Sequence, residues 1–334
     1  MARAVGNTGR EALSGRKTVS LALVVVLGAV LAVLIDPVIG LPVAAAALAG
    51  LVFGERTPVS LLAGLVAGVL AGALLYGVIA PLLGATVGSG EPYIYTAVLV
   101  VSLLLVAPIT AWMMRRRSAL ETMIAVTTGL TALSVIELSV YAAQAGTSVN
   151  GYMESAVTDL FAQAGAADEM LQTFIDVWPG LLVAANAITA LLVVVAVGIA
   201  GARFGAALRR IPPLAMLDLD VRVVILPIVA VALLAAGRIP VDIAPTLEIV
   251  GKNLLMIARM VYFLQGVAVF AGLYERAKFS RPVRMAGFVL LGVTEALVPA
   301  VSLTGLADMW LNLRRLPRDG NPPPVRTSSD DRTV

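Results

Sequence analysis

A few ionisable side chains lie inside long apolar tracts, where burying a charge is costly and the group usually faces the interior of a helix bundle. In the tract Leu247–Tyr274, Glu248, Lys252 and Arg259 fall within about 40° of one another at the helical 100° per residue. Tyr262 and Gln265 widen that face to about 140°. Arg259 stands about 18 Å along the helix from Leu247, too deep to snorkel easily to either surface. Glu248 and Lys252 form an i,i+4 pair in the favourable order. A second stripe in Ala119–Ala143 carries Thr127, Thr131, Ser134, Glu137, Tyr141 and Gln144 within an arc of about 140°. Glu295, ahead of Pro299, is a third intramembrane carboxylate.

Three kinds of chemistry fit these groups. Arg259 neutralised by Glu295 or Glu137 would be a structural network that fixes helix register. A polar pocket for a small solute would use Arg259 to meet an anionic group, with Gln265, Glu137 and Glu295 supplying hydrogen bonds or charge balance; Tyr262 and Asn253 complete that candidate set. A proton or ion relay would use the same buried acids.

Composition explains why such groups stand out. The 334 residues are 59% hydrophobic and only 13% charged, with no His and no Cys, against roughly 25% charged in a soluble domain. An ordinary soluble globular protein is excluded. So are thiol catalysis, disulfides, His acid–base chemistry and zinc sites built on nitrogen and sulfur. No Walker A, G-x-S-x-G or H-E-x-x-H motif occurs, so no cofactor, no metal and no enzymatic activity are expected. A net charge of +3 without long like-charged blocks gives no reason to expect a nucleic-acid partner.

Nine apolar tracts must position the polar residues: Val19–Ile35, Val38–Phe53, Val59–Leu83, Ile94–Met114, Ala119–Ala143, Leu181–Phe204, Val221–Ala236, Leu247–Tyr274 and Val283–Leu311. Asp36-Pro37 separates the first two, which are short, and the seventh is short as well. The fold expected is all-α, a polytopic bundle of eight or nine membrane segments in a lipid bilayer. Arg115–Arg117, then Arg203, Arg209 and Arg210, then Arg276, Lys278, Arg281 and Arg284 mark cytoplasmic loops. Gly146–Val177 holds Glu154, Asp159, Asp168, Glu169 and Asp176 without one Lys or Arg, which places it outside. The N-terminus, with Arg3, Arg10, Arg16 and Lys17 ahead of an uncleaved first helix, is expected in the cytoplasm. The last tract is either one span or a hairpin broken at Pro299; the basic Arg314, Arg315 and Arg318 favour the hairpin, with the C-terminus inside.

These features divide the chain into a basic N-terminus (1–18), N-terminal membrane helices (19–145), an acidic amphipathic outer loop (146–178), C-terminal membrane helices (179–316) and a disordered tail (317–334). In the loop, Met153, Val157, Leu160 and Phe161, and again Leu171, Phe174, Ile175 and Trp178, recur at helical spacing on either side of Gly165. Two short amphipathic helices result, either capping a cavity or resting on the headgroups. Gly64, Gly68 and Gly72, with Gly201 and Gly205, give small-residue seams suited to helix packing or to docking another membrane subunit.

The run KNLLMIARMVYFLQGVAVFAGLYER (Lys252–Arg276) followed by GLADMWLNLRR (Gly305–Arg315) resembles the YybS-like family of predicted bacterial membrane proteins, a domain of unknown function. The likeness rests on Asn253, Gln265, Gly266, Gly305, Asp308, Trp310, Arg314 and Arg315, and extends to the Pro-headed span from Pro179 and the basic turn Arg209–Pro213. The resemblance implies a fold similar to the substrate-binding S components of energy-coupling-factor transporters, in the inner membrane of a bacterium. The spacing Gly28-x-x-x-Ala32 resembles the docking seam of those components. Read physically, Trp310 suits the membrane boundary, Arg314-Arg315 an anionic headgroup layer, and Asp308 a cap or partner for those arginines, together a membrane anchor. The function expected is binding a small solute as a transporter's substrate-capture subunit does. The alternatives are a scaffold or assembly factor of the cell envelope and, behind it, a membrane-embedded enzyme.

Overall fold

The computed structural model describes residues 15–34, 37–54, 57–79, 81, 91–163, 168–206, 208 and 213–316. Arg3, Arg10, Asp36, Gly165, Arg209, Arg210 and the expected tail at 317–334 lie outside them. The chain forms two compact units, Met1–Ile211 and Pro212–Val334. All regular structure among the described residues is helical.

Among the described residues the first unit holds seven α-helices: α1 (Gly15–Leu34), α2 (Pro37–Phe53), α3 (Thr57–Leu74), α4 (Glu91–Arg116), α5 (Ala119–Gln144), α6 (Val149–Gln163) and α7 (Asp168–Arg203). Its core is aliphatic and small, with Val25, Ala29, Leu48, Leu51, Leu103, Met114, Val193 and Val197 fully or almost fully buried. Small residues set the helix distances. A Cβ on Gly28 would stand 2.5 Å from the Ala44 nitrogen, and Gly40 meets the Ala32 backbone in the same way. The Gly28-x-x-x-Ala32 seam is therefore filled by α2. Gly64, Gly68 and Gly72 all face α4, and a Cβ on Gly68 would lie 2.6 Å from Val100 Cγ2. These seams pack the unit's own helices, which leaves them unavailable to another subunit. Gly201 meets the Leu208 side chain. Gly205 lies past the end of α7 at φ +64° and a Cβ there would touch nothing within 4 Å. It is a turn residue rather than a packing one.

Helix α5 starts from a capping box. Ser118 Oγ accepts from the Glu121 amide, and the Glu121 carboxylate accepts from the Ser118 amide at 2.8 Å. The acidic segment is only partly as expected. Its first half is the separate helix α6, but its second half is the opening of α7, one 36-residue helix with Pro179 inside it.

The second unit holds two 3₁₀ turns (Leu214–Met216 and Val221–Val224) and four helices: α8 (Ile225–Ala236), α9 (Ala244–Arg276), α10 (Arg281–Leu297) and α11 (Ala300–Leu311). Helix α9 is the axis on which the rest assembles. Gly305 and Gly266 bring α11 against α9 backbone to backbone, so that a Cβ on Gly305 would lie 2.5 Å from the Gly266 nitrogen. Successive contacts pair Arg259 with Ser302, Gln265 with Asp308 and Gly272 with Arg314, which makes α11 parallel to α9. The α10–α11 break bends the chain by 102°, and the segment after α11 returns to the end of α9, where Arg276 donates to the Leu313 and Arg314 carbonyls.

Among the described residues, six helices are long and apolar enough to cross a membrane, or seven if the bent pair counts as one span. The expected eight or nine is not reached by this measure. Segments 38–53 and 221–236 are apolar but too short, and the last tract is broken rather than straight.

Candidate functional site

Two polar sites result, one in each unit, and they differ in how completely their charges are matched. In the second unit, Arg259 Nε donates to Glu295 Oε1 at 2.8 Å and its Nη2 to the Glu295 carbonyl. Ser302, near the start of α11, donates its hydroxyl to Glu295 Oε1 (2.6 Å) and its amide to Glu295 Oε2 (3.0 Å). Glu295 thus neutralises Arg259 and also satisfies an orphan amide at a helix N-terminus. One element further along, Gln265 and Asp308 are fully buried and the Arg314 side chain is 1% exposed. Arg314 Nη2 meets Asp308 Oδ2 at 2.8 Å and Asp218 Oδ1 at 3.2 Å, while Nη1 reaches the Ala215 and Leu217 carbonyls. Gln265 Nε2 donates to both carboxylates, at 3.1 and 3.2 Å, and its Oε1 accepts from the Leu219 amide. Tyr262 donates to the Val223 carbonyl.

This arrangement changes the reading of several expected ligand residues. Gln265 and Tyr262 are buried and tie α9 to the segment 213–224. Asn253 donates to the Ile249 carbonyl of its own helix. Arg314 and Asp308 are buried in a lock, which leaves Trp310 and Arg315 as the exposed members of the expected anchor. Asp218 and Ser302 belong to the network and carry no signal in the sequence, since their partners are 43 to 96 residues away or, for Ser302 and Glu295, become neighbours only at the bend.

The first unit holds the other site. Glu137, half-buried on α5, accepts a hydrogen bond from the Tyr141 hydroxyl at 3.2 Å. Its second carboxylate oxygen has no hydrogen-bond partner, and no Lys or Arg pairs with it, among the described residues. Tyr141 stacks on Tyr152 of α6 with ring centres 5.9 Å apart, and its hydroxyl also bonds with that of Tyr76. Tyr76 in turn meets the Tyr95 ring edge-on at 6.0 Å. Tyr76 belongs to a π-helical turn, Leu75–Ile79, that follows α3; such turns are frequent at functional sites. Four half-buried tyrosines therefore form a chain of contacts, Tyr152–Tyr141–Tyr76–Tyr95, that joins α6, α5, the π-turn after α3 and α4, with Tyr141 bonded to the carboxylate. Helix α6 is held over them by the Trp178 indole, which donates to Asn150 Oδ1 at 3.1 Å, and by Phe161 against Phe174. Below Glu137, Asn186 of α7 donates to Ser134, and Thr131 Oγ1 is buried with no partner among the described residues.

Glu137 was legible as an intramembrane acid; Tyr76, Tyr95 and Tyr152 were not, because only the packing of α3, α4 and α6 brings them to it. Among the described intramembrane charges, Glu248 pairs with Lys252 at 2.8 Å and Arg259 with Glu295. Glu137 lacks a counter-charge. The crevice between α2 and α4, lined by Leu41, Leu48, Ser102 and Leu103, is apolar and has no room for a water molecule.

Helices of this length and apolarity, with charges sequestered among them, define an integral membrane protein with several spans. The chain belongs to the family described as predicted membrane protein (DUF2232), which matches residues 57–309, well over half of its length. No curated protein and no solved structure matches it.

Proposed function

We propose that this protein binds a small solute through Glu137, in the manner of a transporter's substrate-capture subunit, and that it performs no chemistry on it. A single observation carries the reading. In the second unit every buried carboxylate meets a guanidinium, whereas among the described residues no Lys or Arg meets the Glu137 carboxylate, which is bonded by Tyr141 at one end of a chain of partly exposed tyrosines. An intramembrane charge is costly and is retained where it serves a ligand or ion path. The π-turn that aims Tyr76 supports the same reading, as do the helical cap over the tyrosines and the resemblance to S components. The Arg259–Glu295 pair is the register-fixing network rather than the ligand site. In the proposed orientation the N-terminus, the α9–α10 junction and the C-terminus face the cytoplasm, and α6 faces outward.

The test is a thermal-shift screen of small polar solutes on the purified protein in uncharged detergent. A ligand at 100 times its Kd adds about 2.7 kcal/mol to the stability of the state it binds. At least one solute should raise the melting temperature of the wild type and leave Glu137→Gln unmoved. Equal shifts in both proteins would refute the assignment. The scaffold alternative would have to rest on the basic loops, because Gly28, Gly64, Gly68 and Gly72 pack against the unit's own helices.

A further inference from the structure

Resting on that reading of Glu137, we infer that the ligand is a small organic cation bearing an ammonium group. The site has one formal charge, negative, and nothing in the described structure to balance it. An anionic solute would meet this carboxylate head-on; a cation restores neutrality. The side chain bonded to the carboxylate is aromatic, and further tyrosines adjoin it. Tyr141 and Tyr152 stack at 28° between ring planes, and Tyr76 and Tyr95 meet edge-on at 70°. Aromatic faces attract cations through the ring quadrupole by about 0.5–1 kcal/mol at exposed sites and about 2 or more once desolvated.

A metal ion fits the same groups poorly. Calcium and magnesium need six or more oxygen ligands, and no group of three acidic side chains able to hold a metal occurs among the described residues. Soft metals have no thiol or imidazole to bind anywhere in the chain. The approach to the site has the matching sign. Gly146–Val177, whose described part includes α6 and the opening of α7, carries five acidic residues in sequence and no Lys or Arg. A one-signed surface of that kind concentrates cations and speeds their arrival. Carboxylate, tyrosine cluster and acidic approach all favour one class of ligand, and none requires the Arg259 network.

The probe is tetramethylammonium, whose methyl protons give one sharp line, with tert-butanol as the neutral analogue of similar shape. Saturation-transfer NMR is run on the full-length protein in uncharged detergent at constant ionic strength. The wild type should transfer saturation to tetramethylammonium saturably and not to tert-butanol. Glu137→Gln should weaken the affinity at least tenfold and Tyr152→Leu several-fold, while Tyr152→Phe, which keeps the ring, should bind as the wild type does. Glu137→Asp retains the charge and should keep measurable binding, which separates loss of charge from loss of fold. Absence of transfer in the wild type would overturn the inference, as would equal transfer to tert-butanol or equal binding by Glu137→Gln. If an uncharged solute stabilises the wild type but not Glu137→Gln, and tetramethylammonium does not bind, the site stands and its cationic character falls.

Discussion

Replacing Arg314 by methionine removes the centre of the second unit's buried network while roughly keeping the length of the side chain. The guanidinium engages Asp308, Asp218 and two main-chain carbonyls, and its side chain is 1% exposed. Removing one partner of a buried ion pair costs about 3–5 kcal/mol, because the other charge is left uncompensated. Each carbonyl left unsatisfied adds about 1–3 kcal/mol where water cannot enter. Arg314→Met should therefore destabilise the unit by at least about 3 kcal/mol, a large part of a domain's total of roughly 5–15. Removing the fully buried carboxylate as well, in Arg314→Met with Asp308→Leu, leaves only the partly exposed Asp218 without its arginine. The double variant should be more stable than the sum of the single effects implies, by about 0.5–3 kcal/mol. Trp310 lies in α11 and reports on this unit, once Trp112 and Trp178 are replaced by Phe. Unfolding in mixed micelles of increasing SDS fraction, followed by Trp310 fluorescence, compares the wild type, Arg314→Met, Asp308→Leu and the double variant. Single variants within about 0.5 kcal/mol of wild type, the range of ordinary surface changes, would refute the lock. So would strict additivity in the double.

Three further outcomes are expected. Gly68→Leu should destabilise the first unit by about 1–3 kcal/mol or more through overpacking against Val100, while Gly77→Ala, where a Cβ meets nothing within 4 Å, should change little; thermal melting followed by Trp178 fluorescence checks both. Single cysteines can be placed freely because the chain has none: Lys278→Cys and Leu316→Cys should be labelled from the same side of the membrane by an impermeant maleimide, and Glu154→Cys from the opposite side. Gly305→Leu should separate α11 from α9 and shift Trp310 fluorescence to that of the Arg314→Met protein, since the same crossing holds Asp308 beside Gln265.

Hydropathy made the long helices legible, and the capping box at Ser118 and the Pro299 break were present as local signals. The segments 38–53 and 221–236 fall below the length of an ordinary span, and apolarity alone does not separate a short crossing from a helix that stays on one side; the proposed orientation, read from the basic and acidic loops, requires both to cross. The opening of α7 was read as a separate helix since its amphipathic pattern changes at Pro179, yet proline there only forfeits one main-chain bond and the helix continues. Of the charge pairs, Glu248–Lys252 was visible at i,i+4, and Arg259 had two candidate partners, between which the bend at Pro299 selects Glu295. Arg314, Asp308 and Gln265 were visible as a motif, but its purpose was not. Their shared partner Asp218 lies in a non-helical segment with no periodicity, and a surface anchor explained the same basic residues equally well. The tyrosine cluster was the least legible part, because contacts between helices far apart in sequence leave no spacing rule to read.

The central claim is that an uncompensated Glu137 holds a small solute. Native mass spectrometry of the gently solubilised protein, compared with Glu137→Gln expressed and purified identically, tests it most directly. A bound small molecule whose mass adduct is present on the wild type and absent from a folded Glu137→Gln is the result this account predicts. The same adduct on both proteins, or none on either, would contradict it.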